Sequence, residues 1–223
     1  MNTENPLLSI EDSIFNENIK KLEIELTESV IDSILEEGLL KEIPIISTSI
    51  SLYKLGRNYK LRNLIKNLYT FLFQLKGISE ETKTNFLNKI EKNKDDLFEK
   101  LLYILDRLDD SYKSEIIGKL FRNYIYNKIN LNDFLRMCFI VERTYYKDLK
   151  YFNYSYNPNN IDDDEDEEML ESKSSKDALV NMGLIEYEIK ENEYQQKYIG
   201  ASKRFEKYFT PSEIGRILLE YGF

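Results

Sequence analysis

The chain has 223 residues and a net charge of −9, and hydrophobic residues make up 42 % of it, which is enough for a sizeable core. It contains no histidine and one cysteine, which removes the commonest general base, the commonest transition-metal ligand and any internal disulfide. Glycine (8) and proline (4) are scarce, so the composition favours long helices over a β-sandwich or barrel.

The first 26 residues are weakly patterned and predict a loosely attached N-terminal arm. They have neither a basic start nor an apolar core of the kind found in secretory signals, and no uncharged apolar run of about 18 residues follows. We therefore expect a cytoplasmic protein. Thr27 is placed to cap a helix through about Glu37, with Gly38 beyond its end.

Residues 39–76 form the most apolar long segment, which we call the basic segment because no acidic residue lies between Ile43 and Ser79. Pro44 is typical of a first helical turn, and Gly56 predicts a break before a second helix that runs to Lys76. Three interpretations are open: a pair of core helices, a helix that lies on anionic lipid, or a binding surface for single-stranded nucleic acid. The candidate membrane- or anion-binding residues are Lys54, Arg57, Lys60, Arg62 and Lys66.

Apolar residues at helical spacing continue to about Lys150, so residues 27–150 predict a multi-helix bundle with short connections. Ser79 is expected to cap one helix and Asp95 or Asp96 the next. Asn130 and Asp133 are expected to open a last long helix that runs to about Lys150. Cys138 lies in the apolar run of that helix and is interpreted as a buried structural thiol.

Residues 151–172 predict an acidic linker or exposed loop. Eight carboxylates between Asp162 and Glu171 account for nearly all of the net charge of −9. A calcium loop of the EF-hand type needs spaced oxygen ligands and a glycine, and this run has no glycine. The run is therefore interpreted as solvated charge, and we expect neither a metal nor a cofactor.

The pattern changes again in residues 173–223. A short helix ends at Gly183, and the alternation in LIEYEI predicts a strand that begins a small hairpin. Thr210, Pro211 and Glu213 form a helix-start signal, in which Thr210 is the cap and Pro211 the first helical residue. The last helix should bury Ile214, Ile217 and Leu218.

This order of elements, with MGLIEYEI after the first helix and TPSEIGRILLEYG at the end, resembles the back half of a bacterial winged-helix domain. Thr210, Gly215 and Leu218 match that pattern. The resemblance covers residues 173–223 and implies a small α+β unit that binds a protein or a nucleic acid. Its helix holds Lys173 and Lys176 but no arginine, which counts against ordinary DNA recognition.

The segment EEGLLKEIPIISTSISLYKLGRNYKLRNL resembles a group of uncharacterised bacterial and phage proteins. Two later segments, Leu105–Arg107 and Lys119–Arg122, resemble the same group, so the match spans residues 35–150. The position of Ser47 is usually glycine in that group. The resemblance implies a bacterial or phage origin and a helical fold.

The leading functional hypothesis is a non-enzymatic, intracellular interaction or regulatory protein, with a role in phage–host conflict as one setting. Its C-terminal unit would dock a protein or a nucleic acid through a list of candidate contact residues: Tyr187, Lys197, Lys203, Arg204 and Lys207. The alternative is a peripheral membrane-binding defence effector that uses residues 43–76. Asp106, Asp109 and Asp110 lie at a helix junction where capping explains them, and the sequence has no glycine-rich phosphate loop, so we do not expect an enzyme.

Overall fold

The computed structural model describes residues 6–14, 16, 43–47, 49, 59–158, 173–191 and 205–223. Contacts divide the chain into one unit of Met1–Glu142 and a second of Arg143–Tyr221 with Phe223. The described residues form nine helices and one two-stranded sheet, which confirms the prediction of a mainly α fold with a small hairpin. The predicted helix of residues 27–37, the break at Gly56 and the acidic run of residues 162–171 lie outside the described residues.

The described helices of the first unit follow one another with short connections. They are α1 (Pro6–Ile14), a helical turn over residues 44–47, α2 (Tyr59–Phe73), α3 (Glu80–Ile90), a 3₁₀ turn (Glu91–Asn93), α4 (Lys94–Arg107), α5 (Ser111–Ile125) and α6 (Leu131–Arg143). Pro44 begins the helical turn as predicted, and the backbone N–H of Ile45 in that turn donates to the Ser13 hydroxyl of α1 at 2.9 Å.

The core of the first unit is built on the packing of α2 against α5. Gly118 permits their close approach, because a Cβ atom at this position would lie 2.7 Å from Cγ of Gln74 and 2.9 Å from the carbonyl oxygen of Phe71. Phe71 and Phe121 then meet with ring centroids 5.5 Å apart. Further rings complete the cluster, in which the closest centroids lie 5.3–5.7 Å apart: Phe86, Tyr124 and Phe134.

Side-chain caps begin three of these helices. The hydroxyl of Ser79 accepts from the N–H of Thr82, the carboxylate of Asp110 accepts from Tyr112, and the amide oxygen of Asn130 accepts from Asp133. The caps at Ser79 and Asn130 are confirmed predictions. The predicted cap at Asp95 or Asp96 is wrong, because the 3₁₀ turn continues into α4 and places both residues inside its first turn.

The predicted long helix to Lys150 is also wrong. Helix α6 ends at Arg143, Tyr145 is extended, and a new helix, α7, runs from Tyr146 to Tyr156. No glycine or proline marks this break in the sequence. The first six residues of the predicted linker of residues 151–172 therefore belong to α7, where Tyr151 and Phe152 are buried.

Helix α1 differs from the predicted N-terminal arm of residues 1–26, because Ile10, Ser13 and Ile14 are buried and α1 packs against α4. Glu11 and Lys94 form an ion pair with a distance of 2.9 Å between the carboxylate oxygen and the ammonium nitrogen. The contact between α1 and α4 was not predicted, because a helix of nine residues gives only a weak apolar pattern in the sequence.

The second unit contains α7, α8 (Lys173–Asn181), β1 (Ile185–Glu191), β2 (Phe205–Pro211) and α9 (Glu213–Gly222). Gly183 ends α8 with a positive φ of 73°, as predicted, and the N–H of Leu184 donates back to the carbonyl of Leu179. Strands β1 and β2 are antiparallel, with Tyr187 opposite Phe209 and Glu188 opposite Tyr208.

The predicted helix cap at Thr210 is wrong. Thr210 and Pro211 pair with Glu186 and Ile185 at the base of the hairpin, so neither is free to start a helix. The cap is Ser212, whose hydroxyl accepts from the N–H of Gly215 at 3.0 Å. Proline suits the strand end, where no ladder donor is required.

The same residues join the two ends of the hairpin. The backbone N–H of Ser212 donates to the carbonyl oxygen of Leu184 at 3.0 Å. The Ser212 hydroxyl donates to the carbonyl oxygen of Gly183 at 2.5 Å. At Gly215, a Cβ atom would lie 2.0 Å from the Leu184 oxygen. Hydrogen bonds and close backbone packing thus fix the positions at which β1 begins and β2 ends.

Candidate functional site

The hairpin presents two chemically different faces, because side chains alternate along each strand and directly opposed residues share a face. One face, which we call the aromatic face, includes Tyr187, Ile189, Phe205, Lys207 and Phe209, with Glu191 opposite Phe205 at its end. The other, which we call the acidic face, consists of Glu186, Glu188, Lys190, Glu206, Tyr208 and Thr210. Among the strand residues whose burial the structure describes, only Ile185, at the base of β1, is buried.

The aromatic face carries large apolar groups that remain exposed. Phe205 is 65 % exposed, Ile189 59 % and Tyr187 42 %. These side chains add little to the core of the second unit, since burial of apolar area is what stabilises a core. Contiguous exposed apolar residues of this kind are typical of surfaces that contact another molecule.

Two lysines lie over the rings of the aromatic face. The ammonium nitrogen of Lys207 is 4.2 Å from the ring centroid of Tyr187, and that of Lys176, on α8, is 5.7 Å from the centroid of Phe209. The rings of Tyr187 and Phe209 are themselves 5.8 Å apart. The arrangement therefore combines flat apolar surface with positive charge, which suits a partner that offers apolar and carboxylate groups.

The structure brings together two of the five predicted contact residues, Tyr187 and Lys207. The other three, Lys197, Lys203 and Arg204, lie outside the described residues. Sequence reasoning missed Ile189, Phe205, Phe209 and Lys176. The alternation Phe205-x-Lys207-x-Phe209 is a strand signal that could have found the β2 residues, whereas the position of Lys176 depends on how α8 packs.

On the basic segment, Lys60, Arg62 and Lys66 lie on α2, while Lys54 and Arg57 fall outside the described residues. The Lys60 ammonium is 2.9 Å from the Asp106 carboxylate. Further along α2, residues such as Leu68, Phe71 and Leu72 are fully buried. The apolar side of α2 is thus used within the first unit, which favours the core interpretation for residues 59–73.

Charged groups also cluster around Lys113, which is buried on α5. Its ammonium donates to the backbone oxygen of Glu142 at 3.0 Å and pairs with Asp109 at 2.7 Å. The Glu142 carboxylate in turn accepts from Nε of Arg107 at 2.7 Å. A hydrogen bond that Arg107 donates to the Tyr103 hydroxyl, supported by the charge of Glu142, raises the pKa of Arg107. Each charge has a partner, which is the pattern of a structural network.

The described residues offer neither an accessible nucleophilic thiol nor a cluster of metal ligands. Cys138 is fully buried, as predicted, and burial raises the pKa of its thiol, so the reactive thiolate is disfavoured. Over the described ranges, no group of three or more Cys, Asp or Glu side chains is placed to hold a metal ion. None of the described helices is long and apolar enough to cross a membrane.

A cavity of about 70 Å³ lies in the first unit, lined by Lys89, Ile90, Asn93, Leu97, Tyr124 and Leu131. Its one charged group is already engaged, because Lys89 donates to the side-chain oxygen of Asn127 and lies 5.4 Å from the Tyr124 ring centroid. Ligand pockets are typically about 300 Å³ or larger, so this cavity suits water molecules.

No protein-family model, curated protein or solved structure matches this chain. The interpretation of the aromatic face therefore depends on its own geometry and chemistry.

Proposed function

We propose that this chain is a non-enzymatic interaction protein that docks a protein partner through the aromatic face of its C-terminal hairpin. The observation that carries the proposal is the exposure of Tyr187, Ile189 and Phe205 beside Lys207. Aromatic residues are enriched at the centres of protein interfaces, where they bury large areas at low cost in side-chain entropy.

A protein partner fits this hairpin better than a nucleic acid does. The acidic face of the same two strands lies directly behind the aromatic face and carries Glu186, Glu188 and Glu206. Phosphate groups would be repelled by them, and binding to nucleic acid depends on neutralising phosphates with a basic surface. The matching partner surface is apolar, with carboxylates opposite Lys207 and Lys176.

The order α8–β1–β2–α9 supports the further proposal that the second unit is winged-helix-like, with the hairpin as its wing. Winged-helix units serve protein contacts as well as DNA contacts. The lack of histidine in the sequence and the burial of Cys138 support a non-enzymatic role. The proposed setting is the cytoplasm of a bacterium, with a regulatory or phage-defence role.

Two tyrosines on opposite faces provide a matched test. Tyr187 is 42 % exposed and Tyr208 47 %, and each has a lysine over its ring. Each is replaced in turn by the photo-crosslinking residue p-benzoylphenylalanine, and cells of the source bacterium are irradiated with the variant present. We expect a discrete protein adduct from position 187 that survives nuclease treatment, and none from position 208.

The partner identified in this way is then used to measure affinity. Ile189→Asp places a charge on the aromatic face and should weaken binding by roughly ten-fold or more, whereas Thr210→Asp, on the acidic face, should change it little. Equal adducts from both faces, no adduct, or equal effects of the two aspartates would contradict the proposal. A nuclease-sensitive adduct would assign the face to nucleic acid instead.

The alternative of a peripheral membrane protein would use the basic segment. Because the apolar side of α2 is packed within the first unit, residues 59–73 would attract lipid through Lys60, Arg62 and Lys66 alone. Flotation with anionic vesicles tests this alternative. Co-flotation that is lost when these three residues are replaced by glutamine would support it.

A further inference from the structure

The outer edge of β1 is open in the part of the chain that the structure describes, because β1 pairs with β2 alone. An open edge presents unpaired backbone N–H and C=O groups, which form a template for another strand. An isolated two-stranded hairpin is also marginally stable in water. The outer edge of β2 is a poorer template, because that strand ends at Pro211, which has no N–H.

The residues of β1 are complementary to themselves in one antiparallel register. In this register two copies of β1 are related by a two-fold axis that passes beside Glu188. Glu186 of each copy then lies opposite Lys190 of the other copy. On the other side of the sheet, Tyr187 and Ile189 form two apolar cross-strand pairs. Opposite charges and aromatic–β-branched pairs are the combinations that stabilise adjacent strands.

The same operation applied to β2 gives no such match. With its middle residue, Tyr208, on the axis, Lys207 lies opposite Phe209 and Glu206 lies opposite Thr210 of the second copy, so no pair joins opposite charges. The charge pattern therefore selects the β1 edge. Its unfavourable contacts are Glu188 opposite Glu188 of the second copy and, at each end of the paired strands, Ile185 opposite Glu191 of the second copy.

We infer that two copies of this chain associate through antiparallel pairing of their β1 strands in the register centred on Glu188. The result is a four-stranded sheet in the order β2–β1–β1–β2. In an antiparallel pair related by an axis normal to the sheet, equivalent side chains lie on the same side. The two aromatic faces are thereby joined into one surface of twice the size.

A charge-swap experiment tests the register by sedimentation or light scattering of the full chain over a range of concentrations. Glu186→Lys alone and Lys190→Glu alone each convert both attractive pairs into repulsive ones and should raise the dimer dissociation constant by roughly ten-fold or more. The double variant Glu186→Lys/Lys190→Glu restores both pairs and should restore dimerisation.

The double variant also separates this effect from damage within one hairpin. Lys190 lies opposite Glu206 of its own copy, so Lys190→Glu places like charges there whether or not Glu186 is changed. If hairpin damage caused the loss, the double variant would remain defective, and the proposal would fail.

Disulfide trapping gives a second readout. Glu188→Cys places one thiol directly opposite its equivalent, within the Cα separation of about 4.5–5.5 Å that antiparallel pairs have and disulfides accept. The native Cys138 is buried and does not compete. Tyr208→Cys, on the same face but on β2, is the control. We expect a covalent dimer from the first variant under mild oxidation and none from the second.

A chain that remains monomeric at all concentrations, single swaps without effect, or equal trapping at positions 188 and 208 would each overturn the inference. These outcomes are distinct from failure of the docking proposal, because they are read from the oligomeric state of the chain alone, whereas docking is read from an adduct with a different protein.

Discussion

Gly215 is the residue at which the second unit tolerates least change. A Cβ atom there would lie 2.0 Å from the carbonyl oxygen of Leu184 and 3.2 Å from the ring of Phe152. Because the first of these atoms belongs to the backbone, relief would require the α8–β1 turn and α9 to separate. The hydrogen bonds of Ser212 to Gly183 and Leu184 hold the two elements together at this point.

Gly215→Ala should therefore lower the free energy of unfolding of the second unit by about 3 kcal/mol, at the upper end of the usual cost of overpacking. Glu213→Ala is the control, since Glu213 is exposed in the same helical turn. Chemical denaturation followed by tyrosine fluorescence measures the difference. Equal midpoints for the two variants would show that the close approach at Gly215 is relieved at no cost.

The cap at Ser212 gives a second prediction at this scale. Ser212→Ala removes an acceptor from Gly215 and a donor to Gly183, and should cost about 1–2 kcal/mol. Thr210→Ala, in the exposed part of β2, should cost much less. Hydrogen exchange at the Gly215 amide should accelerate in the first variant only. Faster exchange in the Thr210 variant would indicate that Thr210, and not Ser212, caps the helix.

Two buried polar residues of the first unit predict opposite outcomes. Asn67 is fully buried, and its amide donates to the carbonyl oxygens of Leu105 and Leu108 at 3.0 Å each. Ser114 is equally buried, and its hydroxyl has no hydrogen-bond partner among the described residues. Asn67→Leu should destabilise by about 2 kcal/mol, whereas Ser114→Ala should leave stability unchanged or raise it by up to about 1 kcal/mol. A large loss from Ser114→Ala, measured by thermal unfolding, would contradict the second expectation.

At the scale of elements, the end of α2 is closed by a residue from α5. The guanidinium of Arg122 donates to the carbonyl oxygens of Gln74 and Lys76, at 3.0 and 2.7 Å, in the turn that follows the last helical residue, Phe73. Charge and hydrogen bonding act together here, because the C-terminal end of a helix carries partial negative charge.

Arg122→Met keeps the apolar stem but removes both bonds, and should lower the free energy of unfolding by about 1–2 kcal/mol. Arg136→Met is the matched control, because Arg136 is exposed on α6. Urea denaturation compares the two variants. An equal, small effect of both would show that water replaces Arg122 at the end of α2.

The contact of α1 with α4 should respond to pH in a defined direction. A hydrogen bond from Lys94 to Glu11 raises the pKa of the lysine above its ordinary value of 10.5. The stabilisation is therefore complete below that value and is lost as pH rises through the higher folded-state pKa. The stability difference between the native chain and Glu11→Gln should be constant from neutral pH to about 10 and then shrink. Asp12→Asn, an exposed neighbour, should show no such trend.

Helical spacing predicted the helices α2 to α5, because their apolar residues follow a clear 3–4 period. The break between α6 and α7 could not be predicted, because Thr144 and Tyr145 are compatible with a helix and only packing decides against one. The cap at Ser212 was missed for a related reason. Thr210 has equal capping chemistry, and strand pairing, a nonlocal interaction, removes it from the competition. The candidate site follows the same rule. Tyr187 and Lys207 could be selected from the sequence, whereas the position of Lys176 beside Phe209 depends on how α8 packs.

At the scale of the whole molecule, charge is divided between segments and faces. Most of the net charge of −9 is found in residues 162–171, and most charged residues of the two strands lie on the acidic face of the hairpin. Attraction between exposed charges is screened by salt, with a Debye length of about 10 Å at 0.1 M. Any association that depends on Glu186 and Lys190 should therefore weaken as ionic strength rises.

Sedimentation of the native chain at low and high ionic strength tests this expectation. The dimer dissociation constant should rise with salt in the native chain and in the Glu186→Lys/Lys190→Glu variant alike, since both contain the same number of opposed pairs. A dissociation constant that falls with salt would indicate apolar contact without charge pairing.

The joint at Leu184 and Ser212 has a consequence for how this protein can evolve. Because both ends of the hairpin are anchored at one place, the chain between them can change in length and sequence while α8 and α9 keep their positions. Homologous chains should then vary most in length between these anchors and retain Gly-Leu before the insert and Ser-x-x-Gly after it. A gapped fingerprint of that form is a better instrument for finding distant relatives than similarity over the whole chain.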